Sequence, residues 1–358
     1  MVWSPADLLW SLTDRASLTV FESICANLFL VLIASFGVTP VYNLIKGNQF
    51  QVKGKHVYVT GSVGLGRAIA IELAKQGAHV TIVARKEAPL KETFELMKQA
   101  AATRKDKDRE MTGAPQKFHW ISADLTDREQ AIRALDEASI QGGSGSGVPD
   151  IIVACAGTSI PKLFVEATIG EFEMQMKLNY FGTLYTIHEA TKRMVETGKK
   201  GKIVMTASTM GLIGFAGYSS YAPTKYALRG LAECLRNEFL MYGIGVHIYY
   251  PGTMFTPGFE NENLTKPLVT REIEGSTGLT PEEAAKGMFA GLRKGNFAVT
   301  TDFDTNFLRV AARGVTPMAN IGLDYVLGLV APFGATQFLW ETNYKVKNFG
   351  KKMLKKEL

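Results

Sequence analysis

Cysteine is scarce in this 358-residue chain: only Cys25, Cys155 and Cys234 are present. They are widely separated and odd in number, which excludes a disulfide framework and offers no zinc spacing, and suits a catalytic domain in a reducing compartment. A surplus of one charge is lacking too. Forty Lys and Arg against 34 Asp and Glu leave +6, and Lys351, Lys352, Lys355 and Lys356 place four positive charges in the last eight residues. No basic stripe interleaved with aromatics occurs, so the composition argues against nucleic-acid binding. There is no internal repeat of fixed period and no second catalytic domain. With 46% hydrophobic and 21% charged residues, a disordered or collagen-like chain is excluded and a sizeable core is expected.

Long apolar runs lie near the two ends. Residues 23–45 carry no charge; as a helix of ~1.5 Å per residue they span roughly 34 Å, enough to cross a bilayer. Pro40 bends or ends that helix. The preceding residues hold Asp7, Asp14 and Glu22 against Arg15 alone, so the basic n-region of a cleaved signal peptide is missing. An uncleaved membrane anchor within an N-terminal segment, residues 1–50, is expected, with a buried core helix as the alternative. Lys46, Lys53 and Lys55 follow the run, which predicts a cytosolic main domain. Residues 314–340 hold one charge, Asp324, and two prolines, Pro317 and Pro332. Asp324 leaves uncharged stretches too short for a simple span, and an aspartate at mid-bilayer costs roughly 2.5–3.5 kcal/mol. A bent re-entrant or surface-lying segment is therefore expected within residues 311–358, with a clean span and ordinary core packing as the alternatives. Phe338, Trp340 and Tyr344, followed by lysines, read as an interfacial belt.

Between these ends, over residues 51–310, strand and helix alternate. Strands are predicted at 55–60, 79–84, 118–122, 151–154, 202–206 and 246–250, and helices at 67–76, 89–102, 127–138, 169–197 and 222–242. Near-continuous apolar strands alternating with amphipathic helices predict an α/β fold, a Rossmann-type doubly wound parallel sheet with helices on both faces. The polar stretches 103–115 and 142–147 read as solvated loops.

The first strand runs into Thr60-Gly61-Ser62-Val63-Gly64-Leu65-Gly66, where glycines let a backbone turn approach a pyrophosphate at a helix N-terminus. Tyr221 and Lys225 stand four apart, on one face of a helix, so that an ammonium can lie beneath a phenol and stabilise its phenolate. With Ser208 thirteen positions before Tyr221, at the end of a strand, this pattern resembles the short-chain dehydrogenase/reductase family across roughly residues 54–300. The chain departs from the family's Thr-Gly-x-x-x-Gly-x-Gly turn, being one residue short between Gly61 and Gly64. That shortening predicts a lost or misaimed backbone donor and weaker cofactor binding.

The resemblance implies a catalytic tetrad of Asn179, Ser208, Tyr221 and Lys225. Ser208 holds the substrate carbonyl, Tyr221 delivers the proton, Lys225 binds the nicotinamide ribose and lowers the phenol pKa, and Asn179 holds a water behind the lysine. It also implies nicotinamide-dinucleotide contacts at Gly61, Ser62, Gly64, Gly66, Asp124, Leu125, Ala156, Gly157, Pro251, Gly252, Thr253 and Thr256, in addition to Tyr221 and Lys225. Arg85 and Lys86 stand where a NAD-preferring relative carries an acidic residue, so NADPH is the expected cofactor. Cys155 reads as a small buried filler, and no metal is expected. A homodimer or homotetramer is the family expectation.

The segments 221–230 and 256–263 resemble the branch of the family that reduces the 3-keto group of the long-chain base 3-ketodihydrosphingosine in sphingolipid synthesis. The tail Lys355-Lys356-Glu357-Leu358 is similar to a dilysine retrieval signal of endoplasmic reticulum membrane proteins. Together they imply a long-chain base lipid substrate, a membrane setting and no nucleic acid. Residues 254–278 read as a lid or lipid access route. Glu260, Glu262 and Glu272 are candidates to meet the substrate ammonium, although surface solvation explains them equally well. A steroid, retinoid or 3-ketoacyl thioester remains an alternative substrate, and a catalytically weakened protein is a further alternative.

Overall fold

The computed structural model describes residues 48–103, 115–142 and 147–354. The expected N-terminal anchor, the dilysine-like tail, most of the 103–115 loop and the centre of the 142–147 loop lie outside the described residues.

Seven parallel strands form one sheet in the order β3-β2-β1-β4-β5-β6-β7. They are β1 (His56–Thr60), β2 (His79–Ala84), β3 (Phe118–Ser122), β4 (Ile151–Ala154), β5 (Lys202–Thr206), β6 (Gly245–Tyr250) and β7 (Ala298–Thr300). Apolar, often β-branched side chains at Val57, Val59, Ile152, Val153, Ile203 and Val204 are buried on both faces, which is what a parallel sheet covered by helices demands. One face packs against α1 (Gly64–Lys75), α2 (Glu87–Ala102) and α9 (Pro281–Arg293) through Ile69, Leu73, Leu90, Met288 and Phe289. The other packs against α3 (Arg128–Gln141), α5 (Gly182–Glu196) and α6 (Ala222–Glu238) through Leu135, Ile187, Met194 and Ala232. The chain reverses direction across the sheet between β1 and β4, the crevice where ligands bind in such sheets.

The six predicted strands are present. β7, three residues long, is an addition too short to show a pattern. The predicted helix 169–197 is not one regular α-helix: α4 (Ile169–Met176) passes through a π-helical turn, Lys177–Phe181, into α5. The single extra residue in such a turn is a recurrent mark of functional positions, and here it carries Asn179.

The C-terminal segment is largely helical. α10 (Phe303–Ala311) leads to α11 (Ile321–Leu354), one helix that continues through Pro332. Asp324 lies in its first turn, and Arg309 on α10 donates to both its oxygens at 2.9 and 2.6 Å. Both side chains are buried, at 2% and 0% exposure. The aspartate therefore serves as an anchor joining α11 to the catalytic domain. The helix is long and apolar enough to cross a membrane: within Ile321–Lys352 an 18-residue window has a mean hydropathy of 1.2, and 22% of that window is buried. Leu329, Val330, Phe333, Leu339, Trp340 and Tyr344 are all exposed.

Candidate active site

The strand ends along the β1/β4 crevice supply the first wall. Gly61 has φ +101°, a conformation that side chains rarely adopt, and a Cβ on Gly66 would lie 2.5 Å from the Gly61 carbonyl oxygen. The turn thus folds back on itself in a way only glycine permits. The shortened turn is tied to its surroundings by hydrogen bonds. The Ser62 carbonyl accepts from Thr93 Oγ1 at 2.9 Å and from Arg67 Nε at 3.4 Å, and Gly61 N–H donates to the Val83 carbonyl. α1 starts directly at Gly64, with Val63 as an N-cap that offers no side-chain bond. That uncapped N-terminus suits an anion. Thr256 closes over it, with its methyl 3.1 Å from the position of a Gly64 Cβ.

Past β2, Arg85 is 60% exposed and its guanidinium lies 4.0 Å from Asp124. Lys86 is also exposed. Asp124 Oδ1 accepts from the Thr126 amide and hydroxyl, which orders the turn after β3, and Leu125 is buried beneath it. A cavity of about 380 Å³ opens here, bounded by Arg85, Thr126, Met174, Lys177 and Leu178. On the other side of the crevice, Thr60 Oγ1 accepts from the amides of Cys155 and Ala156 at 2.9 and 3.0 Å, fixing the loop after β4. Burial pushes the Cys155 thiol up to about 11, consistent with an inert filler. An uncapped helix, glycine backbone and an exposed guanidinium in one crevice fit a dinucleotide.

The four tetrad candidates come together at the neighbouring strand ends. Ser208 follows β5 in extended conformation and caps a short 3₁₀ turn. Tyr221 is the N-cap of α6, whose first turn holds Pro223, and Lys225 lies one turn further in. The Lys225 ammonium sits 5.5 Å from the Tyr221 ring centroid and donates to the Thr206 carbonyl at 3.1 Å. Asn179 is fully buried: its amide nitrogen donates to the Thr158 carbonyl and Thr224 Oγ1, and its Oδ1 accepts from Thr158 N–H at 2.8 Å. A Cβ on Gly157 would lie 3.0 Å from Asn179 Oδ1 and 3.5 Å from Lys225 Nζ, so the loop after β4 reaches the tetrad directly.

Burial raises the Tyr221 phenol above its ordinary range, with the Glu262 carboxylate acting the same way and a Ser208 hydrogen bond opposing. Burial also brings the Lys225 ammonium down to about 8. Desolvation is thus the largest influence on the phenol. The ammonium lies beneath the ring with one of its three donors on the Thr206 carbonyl.

The opposite wall is formed by α7 (Pro257–Thr265) and α8 (Leu268–Glu274). Thr253 and Thr256 begin it. The Thr253 hydroxyl donates to Glu274 at 2.9 Å, and Thr256 caps α7 by accepting from Phe259 N–H. Pro251 accepts from Thr209 through its carbonyl, and a Cβ on Gly252 would meet Asp302 at 2.9 Å. Lys266, 1% exposed, lies 2.5 Å from Glu274 and 3.7 Å from Glu262. The Tyr218 hydroxyl is 3.3 Å from each of these carboxylates, and its ring stands 5.9 Å from that of Tyr221. Tyr218, Lys266 and Glu274 escaped the sequence reading; an aromatic-and-charge mixture in a short helical segment resembles any solvated loop. Of the three glutamates considered, Glu262 is drawn into the site, while Glu260 and Glu272 are exposed.

The model of the short chain dehydrogenase family matches residues 55–267. Over 91% of the chain and 94% of the relative, the sequence is 38% identical to a 3-ketodihydrosphingosine reductase of Cryptococcus neoformans. It is 36% identical to one of Dictyostelium discoideum, covering 80% and 85%, and 34% identical to one of Mus musculus, covering 84% and 87%. Among solved structures, a short-chain type dehydrogenase/reductase from Mycobacterium marinum superposes with a TM-score of 0.58 at 26% identity, covering 71% of this chain and 96% of that one.

Proposed function

The chain belongs to the short-chain dehydrogenase/reductase family and is an oxidoreductase acting on a ketone; on that premise we propose that it reduces the 3-keto group of 3-ketodihydrosphingosine with NADPH, giving dihydrosphingosine in sphingolipid synthesis. The observation that carries this reading is the likeness, over most of their length, to reductases named for that ketone. The gathered Ser208, Tyr221 and Lys225 corner supplies the groups the chemistry needs.

A bound reduced nicotinamide supplies hydride to the carbonyl carbon. Ser208 donates a hydrogen bond to the carbonyl oxygen, polarising it and fixing its position. Tyr221 gives its phenolic proton to the same oxygen as negative charge develops there. Lys225 holds the ribose and keeps a positive charge beneath the phenolate that remains. Asn179 holds the loop after β4 through Thr158, and with it the Gly157 backbone that borders the lysine. The Gly61–Gly66 turn and the N-terminus of α1 receive the pyrophosphate, while Arg85, with Lys86 beside it, meets the 2′-phosphate that distinguishes NADPH from NADH.

The exposed apolar face of α11 supports a membrane-associated enzyme drawing its lipid from the bilayer. We extend the reading to an anchor at residues 23–45, the endoplasmic reticulum membrane and a cytosolic catalytic domain, assembled as a homodimer or homotetramer. The test of function offers detergent-purified protein and NADPH separately 3-ketodihydrosphingosine, a steroid ketone, a retinoid and a 3-ketoacyl thioester. The long-chain base is expected to be reduced fastest, with dihydrosphingosine identified by mass. Faster reduction of any of the others contradicts the proposal.

A further inference from the structure

The network on α7 and α8 has an unmatched charge beside the catalytic tyrosine. Among the described residues Glu262 and Glu274 share one ammonium, Lys266, which sits closer to Glu274 (2.5 Å) than to Glu262 (3.7 Å). The Tyr218 hydroxyl, equidistant from both at 3.3 Å, has one proton and can donate to one of them at a time. The remaining hydroxyl donor, from Thr253, is spent on Glu274. Glu262 is therefore the under-compensated member: its nearest cation is held by another carboxylate. Tyr218 links it to the reacting corner, its hydroxyl 3.3 Å from Glu262 and its ring 5.9 Å from that of Tyr221.

The surroundings are graded. The carboxylates and Lys266 lie inward, and Lys266 is covered by the Phe259 ring at 4.3 Å. Phe255, Leu264 and Leu268, on the same short segment, are exposed. α8 packs against α11, and Lys345 on α11 donates to the Glu272 carbonyl at 2.7 Å. Exposed apolar side chains thus share one short segment, packed against α11, with a half-buried carboxylate near Tyr221. An amphiphile whose cationic nitrogen lies next to its ketone carbon matches that order of surfaces: tail outside, ammonium and carbonyl inside.

We propose that Glu262 is a specificity residue that binds the ammonium adjacent to the reacting ketone, with Glu274, Lys266 and Tyr218 holding its carboxylate in place. This inference rests on the proposed function, since it assigns the amino group of that substrate class. Burial, opposed by Lys266 and reinforced by Glu274, raises the Glu262 carboxyl to about 7. Without a second cation it takes up a proton near neutrality, and an arriving ammonium replaces that proton. The other charged groups around it, Lys225 beyond Tyr221 and Arg271 on α8, do not alter the assignment. Lys225 bonds the Thr206 carbonyl, and Arg271 bonds the backbone carbonyls of Lys266 and Asn263.

The experiment compares 3-ketodihydrosphingosine with its desamino counterpart, the same chain and ketone bearing hydrogen in place of the ammonium. Wild-type protein is expected to favour the amine, and Glu262→Gln to lower the ratio of the two kcat/KM values about 10- to 150-fold, mainly through KM, as loss of a charge-assisted bond would. Glu262→Asp, which keeps the charge, should recover part of the ratio. NADPH affinity, measured by fluorescence, reports whether each variant is folded. Wild-type protein that reduces both ketones equally well overturns the inference even if the Gln variant does not fold. So does a Gln variant that binds NADPH and keeps the wild-type ratio. Both results leave the proposed function standing. Wild-type protein that binds NADPH but does not reduce the amino ketone overturns that function, and this inference with it.

Discussion

Ser208, Tyr221 and Lys225 hang from β5 and α6, braced by the sheet and by the loop after β4, whereas Glu262 and Glu274, with Lys266 between them, sit on α7 and α8, helices of nine and seven residues that bury almost no apolar side chains of their own. The first wall has fixed spacing because sheet register and helix pitch determine which side chains meet. The second is held by polar contacts: Lys266 between two carboxylates, Thr253 on Glu274, and Thr270 donating to the Ala216 carbonyl. Chemistry common to a family belongs on the rigid wall, and choice of substrate belongs on the wall that can vary without disturbing the core.

The sharpest way to break this contrast is at the rigid wall. Tyr221→Phe should lower kcat by about 10²- to 10⁴-fold, the usual worth of a positioned general acid. NADPH affinity and thermal unfolding should stay nearly unchanged, because only the hydroxyl is removed. Substantial turnover in that variant would move the proton donor elsewhere.

The junction with α11 is next. Asp324→Ala leaves Arg309 buried and unpaired, which should cost about 3–5 kcal/mol in chemical unfolding of the detergent-solubilised protein. Replacing both partners by apolar residues should restore most of the loss. Indifference to the single change would mean that α11 is joined to the domain by its apolar contacts alone.

On the cofactor side, Arg85→Asp should raise the dissociation constant for NADPH about 10- to 150-fold, by removing a charge-assisted partner of the 2′-phosphate and adding repulsion, and so favour NADH. Wild-type protein that binds both cofactors equally would take Arg85 out of that role. The pH dependence has a definite sign. Lys225 is charged below its value of about 8, so NADPH affinity should hold below that pH. It should weaken as pH rises through it, in a binding titration free of turnover. The smallest effect is expected at the glycine turn. Inserting a glycine between Gly61 and Ser62 restores the family spacing but displaces the Ser62 carbonyl from Thr93 and Arg67. The loss of ~1 kcal/mol should weaken NADPH binding about fivefold, and tighter binding would mean that the short turn does lack a phosphate donor.

The same contrast explains what was legible in the sequence. The six principal strands and the glycine turn were readable because strand period, helix period and turn chemistry leave marks in the order of residues, whereas the candidates Ser208, Asn179, Tyr221 and Lys225 came from the resemblance to the family's pattern. The π-helical turn at Lys177–Phe181 left none, since one extra residue in a helix looks like helix. The Arg309–Asp324 pair was hidden for another reason. A lone aspartate in an apolar run reads as a cost to membrane insertion until its partner, fifteen residues earlier on another helix, is brought beside it. Glu262 was one of three equivalent glutamates in sequence, and only the packing of α7 against Tyr218 separates it from Glu260 and Glu272.

The most direct measurement of the central claim follows the hydrogen itself. Purified protein is given 3-ketodihydrosphingosine with NADPH deuterated at the transferable C4 position, and the lipid product is examined by mass spectrometry. Wild-type protein is expected to give dihydrosphingosine carrying one deuterium at C3, and Tyr221→Phe almost none. Wild-type protein that binds NADPH yet yields no deuterated dihydrosphingosine would contradict the proposed function.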